Sequence, residues 1–237
     1  MNSNDEKRWG KVRLGRQDED LLAQPRRFFG SLYRAIAVGA ELFAGMHAFR
    51  NEGPCVTVFG SARFEEGHPY YELARETGRL LSEAGFTVLT GGGPGIMEAA
   101  NRGARDVGGR SLGCNIKLPK EQIPNPYLDK WITFRHFFIR KVMLIKNSSA
   151  IVVLPGGYGT LDEVFETATL LQTGTIQQFP VVMLGGEYWA ELTEFIEKAL
   201  IGYGTISPGD VELFQFAGSP REAVEYILEE IESKQVL

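Results

Sequence analysis

The stretch that most constrains this chain is Ile151-Val152-Val153-Leu154-Pro155-Gly156-Gly157-Tyr158-Gly159-Thr160-Leu161-Asp162-Glu163. An apolar run rich in β-branched residues ends at a proline, which cannot continue a sheet ladder. A glycine-rich turn follows. Thr160 then opens a helical periodicity carried by Val164, Phe165, Ala168 and Leu171. This reads as strand, tight loop and helix. Such a loop carries little side chain, so its backbone N–H groups can approach an anion closely. The helix start behind it adds free N–H groups and the positive end of a dipole. The combination suits one phosphate group.

The flanking segments repeat the same alternation. Strands are predicted at Cys55–Phe59, Phe86–Thr90, Ser111–Ile116, Trp131–Phe134, Pro180–Leu184 and Val211–Phe216. Helices are predicted at Tyr70–Ala84, Ile96–Asp106, Phe137–Asn147, Thr160–Thr173, Tyr188–Leu200 and Pro220–Ser233. Gly85 is placed as a left-handed cap after the first of these helices. Alternation of this kind predicts an α/β fold, a doubly wound parallel sheet (Rossmann-like) with helices on both faces. No linker divides it. We therefore expect a mobile tail over residues 1–29 and a single domain over 30–237, with an added N-terminal helix inside 30–52. In that helix Leu32, Ile36, Ala40, Phe43, Met46 and Phe49 recur at helical spacing. Lys117–Lys130 carries three prolines and reads as a long loop.

Ligands of such sheets bind beyond the carboxyl ends of the strands, near the point where strand order reverses. Three loops are expected to share that edge: Gly60–Arg63, Gly91–Gly95 and Pro155–Gly159. Ser61 in the first is a candidate phosphate or ribose contact. The usual nucleotide fingerprints fail. Gly91-x-Gly93-x-x-Ile96 and Gly157-x-Gly159-x-x-Asp162 each lack the third glycine of a dinucleotide loop, and no G-x-x-x-x-G-K-[ST] run occurs. No G-x-S-x-G elbow surrounds Ser61. The three histidines, His47, His68 and His136, lack metal-ligand spacing and read as structural. Cys55 and Cys114 read as buried free thiols of a reduced compartment. A net charge of −5 argues against a nucleic-acid partner. With no apolar leader and no run near the ~20 residues of a membrane span, the expected location is the cytoplasm, away from membranes.

Three motifs in order, Gly91-Gly92-Gly93-Pro94-Gly95-Ile96-Met97-Glu98, Arg140-Lys141 and Pro155-Gly156-Gly157-Tyr158-Gly159-Thr160-Leu161-Asp162-Glu163, resemble the LOG family of cytokinin-activating phosphoribohydrolases, which are often labelled lysine decarboxylases. The P-G-G-x-G-T-x-x-E pattern is complete, and the resemblance runs from about Cys55 to Glu229. The N-terminal extension resembles the longer bacterial subgroup. The resemblance implies hydrolysis of the N-glycosidic bond of a nucleoside 5′-monophosphate, AMP or a cytokinin riboside 5′-monophosphate, to free base and ribose 5-phosphate. It implies Arg140 and Glu163 as catalytic residues. It places Gly93, Met97, Lys141, Gly156, Gly157, Tyr158, Gly159, Thr160, Asp162 and Thr169 at the substrate, and implies a homodimer or higher homo-oligomer. No cofactor is expected, so activity should survive chelation and need no added NAD or pyridoxal phosphate.

Other readings stay open on the same residues. Thr160-x-x-Glu163 also spells a capping box, with Thr160 capping the helix and Glu163 reaching back. Asp162 also suits a first-turn carboxylate favoured by the dipole, and Arg140-Lys141 a solvated basic pair. A carrier that holds a nucleotide or the molybdenum cofactor without turning it over would need the loop but no ribose-facing carboxylate. A decarboxylase would need a pyridoxal-binding lysine, and Lys141 is the one lysine near the loops.

Overall fold

The computed structural model describes residues 28–117 and 123–235. The expected tail therefore lies outside the described residues up to position 27, as does 118–122 of the long loop. The added N-terminal helix, α1, runs Phe28–Ala48, so Phe28 and Phe29 are helical rather than tail. The chain then alternates through β1 (Cys55–Phe59), α2 (Pro69–Glu83), β2 (Thr87–Thr90), α3 (Ile96–Asp106), β3 (Ser111–Ile116), β4 (Lys130–Phe134), α4 (Phe137–Lys146), β5 (Ser148–Val153), α5 (Tyr158–Gln172) and β6 (Val181–Leu184).

Two expected elements differ after β6. The expected helix Tyr188–Leu200 is broken into a 3-10 turn (Gly186–Trp189), a short α6 (Ala190–Phe195) and a π-helical stretch (Ile196–Ile201). The first half of the expected strand Val211–Phe216, with Val211 and Leu213, belongs to a 3-10 helix, Pro208–Leu213. Pro208 presets its first φ, and the Asp210 carboxylate accepts from the Ser207 N–H at 2.7 Å, which closes a helical turn before any strand can start. The strand β7 is only Gln215–Ala217, and α7 (Pro220–Gln235) follows.

All described strands lie in one parallel sheet, ordered β4-β3-β2-β1-β5-β6-β7. Alternate side chains of each strand enter opposite faces, which is why these strands read as continuous apolar runs. Val56, Val58, Val88, Val152 and Val182 pack under α2, α3 and α7. Phe59, Leu89, Leu112, Ile151, Val153 and Met183 pack with residues of α4 and α5 on the other face. Both Cys55 and Cys114 are buried free thiols, with burial pushing them up to about 11 and about 12.

Strand order reverses between β1 and β5. Successive connections run one way from β1 to β4 and the other way from β5 to β7, so the loops after β1 and β5 diverge and leave a crevice. α3, which starts directly behind the β2 loop, is fixed by unusually close contact with α2. A Cβ on Gly78 would lie 2.0 Å from the Ala100 carbonyl oxygen, and one on Gly103 would lie 1.8 Å from that of Arg75. Both are backbone atoms and cannot move aside locally. In an ordinary helix interior, Gly→Ala stabilises by about 1 kcal/mol. Here Gly103→Ala should reverse that sign and destabilise by about 1–3 kcal/mol through overpacking. Thermal denaturation would show this as a Tm lowered by about 2–4 °C per kcal/mol. A raised Tm would mean that the two helices separate freely.

Candidate active site

The crevice at the reversal point is a cleft of about 640 Å³, walled by all three glycine-bearing loops. Backbone bonds tie these loops to one another. Leu154 N–H donates to the Phe59 carbonyl at 2.9 Å, Ser61 N–H to that of Pro155 at 3.0 Å, and Ile96 N–H to that of Ser61 at 3.0 Å. Side chains would not fit between them. A Cβ on Gly60 would meet Ile96 at 2.5 Å, and one on Gly95, already at φ +71°, would meet the Ser61 carbonyl at 2.5 Å.

The Pro155–Gly159 loop presents donors because its acceptors are occupied elsewhere. The Pro155 carbonyl takes the Ser61 N–H, the Gly157 carbonyl takes the Leu161 N–H at 3.0 Å, and the Gly156 carbonyl takes the Tyr188 hydroxyl at 2.6 Å. The amides of the first turn of α5 have no intrahelical acceptor. A glycine loop with such amides at the positive end of a helix dipole is suited to receive an anion.

The helix start corrects one reading of the sequence. α5 begins at Tyr158, with Gly157 as N-cap and no side-chain cap. Thr160 is thus inside the first turn, and Thr160-x-x-Glu163 is not a capping box. Thr160 is buried under the loop instead, where a Cβ on Gly156 would sit 2.1 Å from its Oγ1. An N-cap at Gly157, three residues before Thr160, also carries Glu163 beyond reach of the helix end, on the face turned to the cleft.

Glu163 meets Arg140 there. Arg140 Nη1 donates to Glu163 Oε1 at 3.3 Å, and each side chain is 12% exposed. Arg140 comes from α4 and is anchored by its Nε, which donates to the Cys114 carbonyl at 2.9 Å. Gly91 makes room for it, since a Cβ there would lie 2.1 Å from Nη2. Burial pushes the Glu163 carboxyl up to about 7, with the Arg140 charge pulling the other way and the Asp162 charge adding to the rise. The protein thus holds, beside an anion-ready loop, a carboxyl group that titrates near neutrality.

Of the residues expected at the site, Ser61, Met97, Arg140, Gly156, Gly157, Tyr158, Gly159, Thr160 and Glu163 line this one cleft. Gly93, Lys141, Asp162 and Thr169 do not. The Gly93 carbonyl faces away and accepts from Asn125 Nδ2 at 3.1 Å. Lys141, Asp162 and Thr169 line a separate shallow surface on α4 and α5, because neighbours in a helix point about 100° apart. Lys141 bridges Asp162 and Glu166, each at 3.1 Å. Burial lowers its pKa, the bonds from Glu166 and Asp162 outweigh that, and the net shift is upward. A lysine poised as a Schiff-base nucleophile needs the opposite shift. The histidines take part in local structure. His68 Nδ1 caps α2, accepting from Tyr70 N–H at 3.1 Å, and His136 Nδ1 lies 2.9 Å from Glu41 Oε2.

Arg63 and Tyr188 also line the cleft, without having been singled out as contacts. Arg63 lies in the first of the three loops. Tyr188 sits in the turn after β6 and carries no local motif. Asn101 is a third omission. Fully buried, its Oδ1 accepts from Thr90 Oγ1 at 2.6 Å and from Asn125 Nδ2 at 3.0 Å, while its Nδ2 donates to Ser111 Oγ at 2.8 Å.

Known proteins are similar to this chain in sequence and in fold. A family model described as "Possible lysine decarboxylase" matches residues 97–227. A cytokinin riboside 5′-monophosphate phosphoribohydrolase of Arabidopsis thaliana is 30% identical over 180 residues, spanning 73% of this chain and 81% of its own length. A second one from that plant is 32% identical over 161 residues, 65% of this chain and 73% of its own. Among solved structures, the molybdenum cofactor binding protein of Rippkaea orientalis superposes with a TM-score of 0.58 at 24% identity, covering 75% of this chain and 97% of its own. The molybdenum cofactor carrier protein of Chlamydomonas reinhardtii gives 0.55 at 22%, covering 76% and 98%. At those identities the two structures speak for the fold alone. The match over more than half of the chain, together with relatives at this identity and coverage, makes this chain a member of the LOG family.

Proposed function

We propose that this chain hydrolyses the N-glycosidic bond of a nucleoside 5′-monophosphate, AMP or a cytokinin riboside 5′-monophosphate, and releases the free base and ribose 5-phosphate. The observation that carries this reading is Glu163, a buried carboxyl paired with Arg140 and facing the same cleft as the Pro155–Gly159 amides. The amides and the α5 dipole take the 5′-phosphate. Phosphate binding then holds the ribose against Glu163, so remote binding energy orients the reacting centre. Loss of the base builds positive charge on the ribose ring. The ionised Glu163 carboxylate stabilises that charge and positions the attacking water. Arg140 offers a planar fork of donors to the leaving base or to the substrate oxygens. A carrier would gain nothing from a buried negative charge beside a bound phosphate. The names of the plant relatives agree with the hydrolase reading.

In this reading the chain acts as one domain within a homo-oligomer. Lys141, Asp162 and Thr169 then belong to the surface between copies, where Phe165 is exposed. Among the described residues no helix is long and apolar enough to cross a membrane.

Incubating the protein with AMP and with adenosine tests the phosphate anchor. AMP should be cleaved and adenosine far less; equal rates would remove the loop from substrate binding. Glu163→Gln keeps the shape and removes the charge. Single-turnover cleavage should fall by ~10²-fold or more, about 2.7 kcal/mol of barrier, while AMP still binds. Near-normal cleavage would take Glu163 out of the mechanism. Arg140→Ala should lose both turnover and affinity.

The raised Glu163 pKa fixes two pH dependences. Catalysis by the ionised form means that kcat/KM falls about tenfold per pH unit below about 7 and levels off above it. Stability runs the other way. A carboxyl whose pKa is raised on folding contributes stability below its unfolded value of 4.5, and that contribution is lost as pH rises to about 7, on the order of 3 kcal/mol. Glu163→Gln should therefore gain stability relative to wild type between pH 5 and pH 8, read by denaturant unfolding. A constant difference across that range would show that the carboxyl titrates normally.

A further inference from the structure

The turn after β6 contributes Tyr188 to the wall of the cleft. Gly185 and Gly186, both at positive φ (127° and 49°), bend the chain sharply at the end of the strand. Gly185 also lets the turn press on the loop, since a Cβ there would lie 2.7 Å from the Pro155 ring. The 3-10 turn is fixed from below by Trp189, which is buried and whose Nε1 donates to the Leu184 carbonyl at 3.1 Å. Its neighbour Tyr188 projects to the cleft, with its ring edge-on to Trp189 at 4.9 Å and to Tyr70 at 6.3 Å. The Tyr188 hydroxyl donates to the Gly156 carbonyl at 2.6 Å.

A trans peptide is planar, so its C=O and its N–H point in opposite directions. Fixing the Gly156 carbonyl on Tyr188 therefore fixes the direction of the Gly157 N–H. A glycine pair otherwise lets that peptide rotate at little cost, because neither residue has a Cβ to restrict it. The carbonyls on either side are held by main-chain partners, Pro155 by Ser61 and Gly157 by Leu161. Among the described residues, the Gly156 carbonyl is the one carbonyl of the turn whose orientation rests on a side chain.

We propose that Tyr188 is a positioning residue for the anion-binding loop, holding the Gly157 N–H toward the phosphate. A phenol has a single proton. With that proton given to Gly156, the hydroxyl has none to offer a phosphate oxygen, so Tyr188 acts through the loop and not as a phosphate ligand. The proposal rests on the reading that this loop binds the 5′-phosphate.

The test compares wild type with Tyr188→Phe, which keeps the ring and its edge contacts. Tyr188 is 43% exposed, so the melting temperature should stay close to wild type. AMP and ribose 5-phosphate should each bind about five- to tenfold more weakly by calorimetry, the scale of one hydrogen bond, while adenosine binding stays as in wild type. In cleavage assays the loss should fall on KM rather than kcat. On adding ribose 5-phosphate, the Gly157 amide proton should shift downfield in wild type and much less in the variant. If wild type binds AMP but does not cleave it, the hydrolase reading fails while the binding comparison still decides on Tyr188. If the variant binds AMP and ribose 5-phosphate as wild type does, or loses adenosine equally, the proposal is overturned. A wild-type protein that prefers adenosine to AMP overturns both.

Discussion

The pair between Arg140 and Glu163 is the interaction around which the site is built. Two charges removed from water cost more than their mutual attraction returns unless further hydrogen bonds fix them. The fold supplies these for Arg140, whose Nε is spent on the Cys114 carbonyl of β3. Gly91 leaves the guanidinium its space. Glu163 has less support, and its carboxyl titrates near 7 instead of staying ionised throughout. The asymmetry suits the proposed chemistry. The cation is held rigidly, and the carboxylate is under-stabilised until positive charge develops on a sugar beside it.

That pair has to face a phosphate site made of main chain, and main chain converges only where side chains are absent. Gly60, Gly91, Gly95 and Gly156 each lie where a Cβ would come within 2.5 Å of another atom. The three loops they belong to are cross-linked by backbone bonds, so a shift in one moves the others. Asn101 extends this unit inward. Thr90 bonds both Asn101 and the Gly92 N–H, while Asn125 Nδ2 spans Asn101 and the Gly93 carbonyl. The end of the long Lys117–Lys130 loop is thereby pinned to the β2 loop. A buried polar network of this kind gives a single arrangement only when each member is satisfied.

Most of the fold was legible because the signals were local. Parallel strands buried on both faces give runs such as Cys55–Phe59 and Ser111–Ile116, and their limits match the structure. The three loops were legible because glycine clusters follow those runs. Strand order could not be read, since it depends on which strands pair. Thr160-x-x-Glu163 left two readings open because the same four residues fit two helix starts. The glycines before them let the helix begin at Tyr158, and that shift decides whether Glu163 faces a helix end or a cleft. The resemblance groups Lys141 and Asp162 with Arg140 and Glu163, whereas helical geometry turns such neighbours onto different faces, and here they line a separate surface. Val211–Phe216 failed for a similar reason. Its apolar residues gave no period long enough to separate strand from turn, and the Ser207–Asp210 bond decided the outcome.

Tyr188 and Asn101 were illegible on another ground: their roles exist only across the fold. Tyr188 is 32 residues from the carbonyl that it holds, and nothing near it in sequence marks it. What places it is the strand order, in which β6 is the neighbour of β5. The turn that ends β6 therefore starts beside the loop that ends β5, and Gly185 and Gly186 let it close on that loop. The sheet thus creates a position from which the main-chain anion site can be held, and the residue at that position does its work from outside the motif that identifies the family.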